Sequence, residues 1–228
     1  MTITCFGDSI TQGAYLDFPA DAWPALVARR LGVPVDNRGV GGSILHNSDP
    51  VGHPTRLMVA DAVSAAVESW ACNPPAVAVV LAGHNDVIEH EINYSQPMPV
   101  GSVEQSKWAA VGVDSTLRAA GVQHVLWVTL CPRAVGTLTD GHPTWPGIIQ
   151  ARISDWNTWL SAWLAPSQRI IDTRGRLGDT AGGLGDPSFY IGDGLHPNAP
   201  LGHRVIADRV AAAIAPRLGI ALSSTAAL

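Results

Sequence analysis

The strongest constraint on this chain is an alternation. Five short apolar or β-branched runs, over residues 2–6, 33–36, 76–81, 122–130 and 169–172, take turns with longer stretches whose apolar residues recur at helical spacing. The run 76–81 is apolar throughout, the mark of a strand buried on both faces. Helical spacing follows Asp21, which reads as the N-cap, with Pro24 in the first turn and Gly32 as the stop. It recurs over about 55–70, over 103–120 with Gly121 as its end, over 148–165, and over 198–218 with Pro197 at the start. Pro34 sets the second strand near a sheet edge. Residues 37–43, 84–101, 131–147 and 174–192 read as loops, the second of them with room for one helical turn.

Strands that alternate singly with helices, with no second zone of composition, imply an α/β fold. The expected form is one doubly wound parallel sheet of about five strands with helices on both faces. The expected organisation is a single domain over 1–220 and a short frayed tail over 221–228. Ile149, Ile153, Trp156, Leu160 and Trp163 make an apolar stripe on one helix, widened by Trp159 and Leu164. Core packing is its ordinary meaning.

Composition narrows the function classes. With 228 residues, 46% hydrophobic and 14% charged, the chain can bury a large core. Its net charge of −5 and its lack of a Lys/Arg cluster argue against nucleic acid as partner. The three cysteines, Cys5, Cys72 and Cys131, make neither a disulfide framework nor a zinc motif, although one pair has the option of bonding. No run is long enough to span a bilayer. No basic n-region or apolar h-region follows Met1, so a cytoplasmic protein is the default expectation, with another export route left open.

Ligands of open parallel sheets bind beyond the carboxyl ends of the strands. Ser9 follows the first strand, the glycine-rich 39–43 the second, Asn85 the third, and Asp193 with His196 the loop after the fifth. Taken singly these are turn, cap and surface residues. Jointly they fall on one rim. A serine hydroxyl becomes a nucleophile only when a base takes its proton. His196 is the natural base, and Asp193, three residues upstream, can orient its imidazole. A helix starting just after His196 would mildly disfavour the imidazolium. The Gly42 N–H, the Asn85 side-chain amide and the Ser9 N–H are candidate donors to an oxyanion.

Gly7-Asp8-Ser9-Ile10, Asn37-x-Gly39-x-x-Gly42, Gly83-His84-Asn85-Asp86 and Asp193-Gly194-Leu195-His196-Pro197 stand in one order across almost the whole chain. In that order they resemble the four signature blocks of the SGNH/GDSL hydrolase family. The resemblance implies a flavodoxin-like three-layer α/β/α fold and ester hydrolysis through an acyl-serine. It implies Ser9 as nucleophile, His196 as base and Asp193 as its partner. It also implies an oxyanion hole made by the Gly42 N–H, the Asn85 side chain and the Ser9 N–H. The second block departs from the pattern: it reads Gly41-Gly42-Ser43, where many members carry Asp or Thr after the oxyanion glycine. Two adjacent glycines compete for that role, and the spacing from Asn37 favours Gly42. Position 11 is Thr11, so the serine is not on the G-x-S-x-G elbow of other hydrolases. Asp8 and Asp86 are expected to brace loops.

Metal binding is a weak rival. His84, Glu89 and His90 are close in sequence, and His46 and His53 share another loop, but none has a tight ligand spacing. The expected function is therefore a serine esterase that needs no cofactor. It would act on a short-chain acyl or acetyl ester, carried by a small molecule or a glycan. Tyr94, Met98 and Trp145 are candidates to line the pocket. A thioesterase, a lysophospholipase and an acyltransferase remain open on the same residues, and from another class a catalytically silent binding module. The oligomeric state is left open.

Overall fold

The computed structural model describes residues 1–46, 57–87, 101–134, 145–178 and 184–223, of which 101–102 and 145–148 are described by backbone alone. Strands β1 (Ile3–Gly7), β2 (Val35–Gly39), β3 (Val77–Leu81), β4 (His124–Val128) and β5 (Ile170–Ile171) pair in parallel in the order β2-β1-β3-β4-β5. Every residue of β1 and of β3 is buried. That is the state expected for continuous apolar strands covered on both faces.

The helices are α1 (Ser9–Gln12), α2 (Trp23–Leu31), α3 (Val59–Ser69), α4 (Gly101–Ala119), α5 (Trp145–Leu164) and α6 (Leu201–Leu218). The chain runs outward from β1 to β2, then back past β1 to β3 and on to β5. Parallel crossovers are right-handed, so this reversal sends the helices to opposite faces. Contacts agree: α2 packs on α6, and α3 on α4. The result is the three-layer α/β/α architecture. The reversal point, between β1 and β3, is where such sheets bind ligands.

Several local expectations are corrected. Asp21 does not cap α2; it ends a 3-10 turn, and Ala22 is the N-cap with no side-chain hydrogen bond. Asn37, Arg38 and Gly39 extend β2, because pairing with Cys5, Phe6 and Gly7 supplies the partners that a glycine-containing segment lacks on its own. Helix α3 starts at Val59, later than its alanine-rich pattern suggests, since Ile44 and Met58 form a β-bridge just before it. Trp145 and Pro146 lie inside α5 rather than in a loop, Pro146 taking a first-turn position where no N–H is needed. Residues 174–192 are not all loop: 174–176 and 187–189 form 3-10 turns. Helix α6 begins at Leu201 instead of Asn198, and Pro197 pairs in a bridge with Tyr190. His196 therefore stands clear of the helix N-terminus. Ser223, expected to fray, donates from its N–H and its hydroxyl to the Arg30 carbonyl.

Edge placement of β2 and the helix stop at Gly32, with φ of 63°, stand as expected. So does the stripe on α5: Ile149, Ile153, Trp156, Leu160 and Leu164 are buried, while Trp159 and Trp163 are partly buried and stacked on each other. The three cysteines are free, with Cys5 and Cys131 buried and Cys72 exposed. Among the described residues no helix is long and apolar enough to cross a membrane.

The α2–α6 contact contains a buried imidazole. His203, 1% exposed, accepts the Trp23 N–H on Nδ1 at 3.1 Å. Burial, with a smaller contribution from His196, lowers its pKa from 6.5 to about 4. The unfolded chain thus takes up this proton while the folded one does not, and acid favours unfolding. The contribution is complete above about pH 6.5 and is lost as pH falls to about 4. Its full size is about 3 kcal/mol. His203→Asn, which keeps an acceptor near Nδ1, should flatten the fall in unfolding free energy between pH 7 and 4. Urea titrations of both proteins would check this, and equal slopes would remove His203 as the cause.

Candidate active site

The site begins where β1 stops. Gly7 pairs with Leu81 across β1 and β3, and a Cβ at Gly7 would stand 2.0 Å from the Leu81 carbonyl and 2.3 Å from Thr11 Oγ1. With no side chain tolerated there, the chain turns directly into α1. Asp8 caps that helix by accepting the Ile10 N–H at 3.0 Å, and Ser9 is its first residue. The N–H groups of a first helical turn have no acceptor within the helix.

The second and third loops are tied to this turn. The Gly7 carbonyl accepts from the Val40 N–H and from the Ser43 hydroxyl, at 2.9 and 3.1 Å. Asn37 Nδ2 donates to the Thr11 carbonyl at 2.9 Å. Asn85 Nδ2 donates to the Ser43 carbonyl at 2.9 Å, which uses one of the two protons on that nitrogen. Gly42 adopts φ of 74°, a left-handed conformation natural to glycine. A Cβ built on Gly41 would lie 2.7 Å from Gln12 Oε1 and 4.0 Å from Ser9 Cβ. The Ser9, Gly42 and Asn85 loops thus share one hydrogen-bonded cluster.

The fourth loop closes on Ser9 from the far end of the chain. His196 Nε2 is 2.8 Å from Ser9 Oγ, and His196 Nδ1 is 2.5 Å from Asp193 Oδ2. Asp193 Oδ1 accepts the N–H groups of Leu195 and His196 at 2.8 and 2.9 Å. Half-burial pushes the Asp193 pKa up. The bonds from His196 and Leu195 and the nearby imidazole outweigh it, so the carboxyl titrates below the ordinary aspartate range. His196 is 6% exposed. An ionised acceptor, an imidazole and a hydroxyl in series can move a proton off the hydroxyl as it attacks.

Neighbouring side chains hold this loop. Tyr190 donates to the Pro132 carbonyl at 2.6 Å. Arg133, 1% exposed, reaches the Asp193 carbonyl from Nη2 at 3.4 Å. Burial lowers the Arg133 pKa, and Asp193 and Tyr190 partly offset that. Under Ser9, Asp8 Oδ2 is 3.4 Å from His84 Nδ1, and His84 Nε2 accepts the Cys131 N–H at 2.8 Å. An accepting Nε2 leaves the proton of the neutral ring on Nδ1, facing Asp8. Asp8 therefore braces the first loop as expected, and His84 links it to the loop after β4.

One residue of the site carried no sequence signal. Tyr15 is 72% exposed with φ of 66°, and its ring centroid is 4.6 Å from that of His196. Left-handed backbone costs a non-glycine residue about 1–2 kcal/mol. Tyr15 follows the first block by a few residues and matches no pattern, so only its backbone and its ring contact single it out. Of the expected pocket residues, Tyr94 and Met98 lie outside the described residues, and so does the side chain of Trp145 at the start of α5. Glu89, His90 and His53 also lie outside. Among the described residues no three His, Cys, Asp or Glu side chains are grouped to hold a metal ion.

A family model described as the GDSL-like lipase/acylhydrolase family matches residues 5–205. Among solved structures, a GDSL-like lipase from Bacteroides thetaiotaomicron VPI-5482 is similar at 17% identity and TM-score 0.62. The match covers 95% of this chain and 88% of that one. A member of the lipolytic protein G-D-S-L family from Veillonella parvula DSM 2008 is similar at 19% identity and TM-score 0.57, over 92% and 96% of the two chains. At these identities the likeness is one of fold. No curated protein matches the chain.

Asp86 is the clearest structural member of the third block. It is buried and accepts the Leu45 and His46 N–H groups and the Ser106 hydroxyl, at 3.0, 3.1 and 2.7 Å. Burial raises its pKa; the bonds from Ser106, Leu45 and His46 pull it down, and Asp8 adds a small further rise. Asp86→Ala would leave three donors unsatisfied, a loss of about 3 kcal/mol. A fall in Tm of roughly 6–12 °C is expected by calorimetry, and a Tm within a degree of wild type would refute this bracing role.

Proposed function

We propose, for a chain that belongs to the GDSL-like lipase/acylhydrolase family, that it hydrolyses carboxylic esters through an acyl-serine formed on Ser9. The observation that carries the proposal is the series Asp193 Oδ2, His196 Nδ1, His196 Nε2, Ser9 Oγ, with gaps of 2.5 and 2.8 Å. Ser9 Oγ attacks the ester carbonyl as its proton passes to His196 Nε2. Asp193 accepts a hydrogen bond from the imidazolium and stays ionised, in keeping with its lowered pKa. The tetrahedral oxyanion takes hydrogen bonds from the Ser9 N–H, the Gly42 N–H and the second Asn85 Nδ2 proton. His196 returns its proton to the leaving alcohol oxygen, and the acyl-serine remains. Water then gives a proton to His196, attacks the acyl carbonyl, and releases the acid as the proton goes back to Ser9. No step calls on a cofactor.

The acyl part is read as short, an acetyl group above all. A Cβ built on Gly41 would lie 4.0 Å from Ser9 Cβ and 2.7 Å from Gln12 Oε1, so a glycine and a polar amide border Ser9 on this side, which suits a small acyl group. A glycan or a small molecule would carry the ester. Esters of one alcohol with acyl chains of two to twelve carbons test this reading. Peak kcat/KM at two to four carbons is expected, and a peak at eight or more would replace it with a lysophospholipase or long-chain thioesterase.

Three substitutions test the chemistry on p-nitrophenyl acetate. Ser9→Ala should lower kcat by on the order of 10³-fold or more, and Asp193→Asn by roughly 10³–10⁴ through loss of the imidazole's orientation. Asn85→Ala should cost on the order of a hundredfold, with little change in Tm. An inert wild type, or a Ser9→Ala variant as active as wild type, would sink the acyl-serine assignment.

A further inference from the structure

Tyr15 combines two observations that the hydrolytic cycle does not use. The first is backbone strain with no internal compensation. The Leu16 N–H reaches the Gly13 carbonyl at 3.4 Å, and Tyr15 is the third residue of this turn with φ of 66°, a position where glycine or asparagine is the usual choice. The side chain is 72% exposed, so burial does not offset the strain, and its hydroxyl has no hydrogen-bond partner among the described residues. The second observation is where the ring goes. It leans on the His196 imidazole, with centroids 4.6 Å apart and planes at 59°.

Chemistry then identifies the half of the substrate that meets this ring. His196 Nε2 gives its proton to the leaving oxygen, so the alcohol half of the ester lies beside the imidazole. The carbonyl oxygen points instead toward the Gly42 and Asn85 loops. A side chain leaning on His196 borders the alcohol half. An exposed aromatic face held in solvent beside that half suits a partner with a flat apolar face of its own.

We propose that Tyr15 is a specificity-determining residue that selects esters by their alcohol, favouring ring-bearing alcohols such as a pyranose or an aryl group over small acyclic ones. The inference rests on the acyl-serine reading and extends it to the substrate class. The same face would receive a ring-bearing alcohol that competes with water for the acyl-serine.

Tyr15→Gly and Tyr15→Phe test the proposal on two substrate series. One holds the acetyl group constant and varies the alcohol through methyl, phenyl and methyl glucoside. The other holds the methyl alcohol constant and varies the acyl group from acetyl to butyryl. Glycine takes φ of 66° without strain, so the Tm of Tyr15→Gly should equal or exceed that of wild type. In Tyr15→Gly, kcat/KM for the ring-bearing acetates relative to methyl acetate should fall roughly tenfold, mainly through KM. Tyr15→Phe should retain the wild-type ratio, and the butyryl-to-acetyl ratio should stay constant in both variants. A fall confined to the glucoside assigns a carbohydrate, and one confined to phenyl an aryl alcohol; either supports the proposal. Unchanged alcohol ratios, an equal loss on every substrate, or a shift in the acyl ratio would overturn it. A fully active Ser9→Ala enzyme would instead refute the underlying acyl-serine reading, so the two failures are distinguishable.

Discussion

The close approach of β1 to β3 at Gly7 and Leu81 governs the geometry of the candidate site. A Cβ at Gly7 would collide with the Leu81 carbonyl, so the strand ends flush against its neighbour and α1 starts at once. The carbonyl of the same glycine holds Val40 and Ser43, and Ser43 in turn holds Asn85. The ends of three neighbouring strands are thereby locked to one another through one backbone N–H and two side-chain donors, all bonding to backbone carbonyls. A site built from the termini of parallel strands needs little else to bring its loops into register. The same parallel order, reversed between β1 and β3, opens the crevice into which these loops project.

The fourth loop is held differently. It is not part of the sheet, and it reaches Ser9 across nearly the full length of the chain. Its shape comes from the Asp193 carboxylate, which gathers two backbone N–H groups on one oxygen and the His196 ring on the other. Tyr190 and Arg133 anchor it from below, on the segment after β4. Electrostatics and local turn geometry here use the same atoms. The bonds that shape the loop also keep the carboxyl ionised, and an ionised carboxyl is what an imidazole needs when it takes a proton.

Much of this was legible in the chain, and for identifiable reasons. The run 76–81 is apolar at every position because its strand has no solvent face, and the structure buries all of Val77–Leu81. Ser9, Asn85, Asp193 and His196 each follow a strand, so topology alone puts them on one rim. Their contacts then needed only side-chain geometry. Boundaries were less legible where partners came from elsewhere. Asn37–Gly39 looked like loop, yet pair along β1. Asn198 looked like a helix start after Pro197, yet Pro197 is held by Tyr190 and the helix waits until Leu201. By spacing alone His84 reads as a weak metal-ligand candidate, but its two nitrogens face Asp8 and the Cys131 N–H.

Sequence by itself determined the alternation of strands and helices and the order of the four motif blocks, and it named an acid, an imidazole and a hydroxyl as candidates for ester chemistry. These are local properties: apolar period, turn chemistry, and acid, imidazole and hydroxyl in fixed order. Tertiary structure decided what depends on distant atoms. It set which glycines, Gly7 among them, have no room for a side chain, which carbonyls Asn85 and Arg133 reach, and that His203 is buried against Trp23. It also decided that an exposed tyrosine in a strained turn lies against the His196 ring. A tyrosine's φ and its neighbour across 181 residues leave no mark on a one-dimensional pattern, because both are set by how the chain closes on itself.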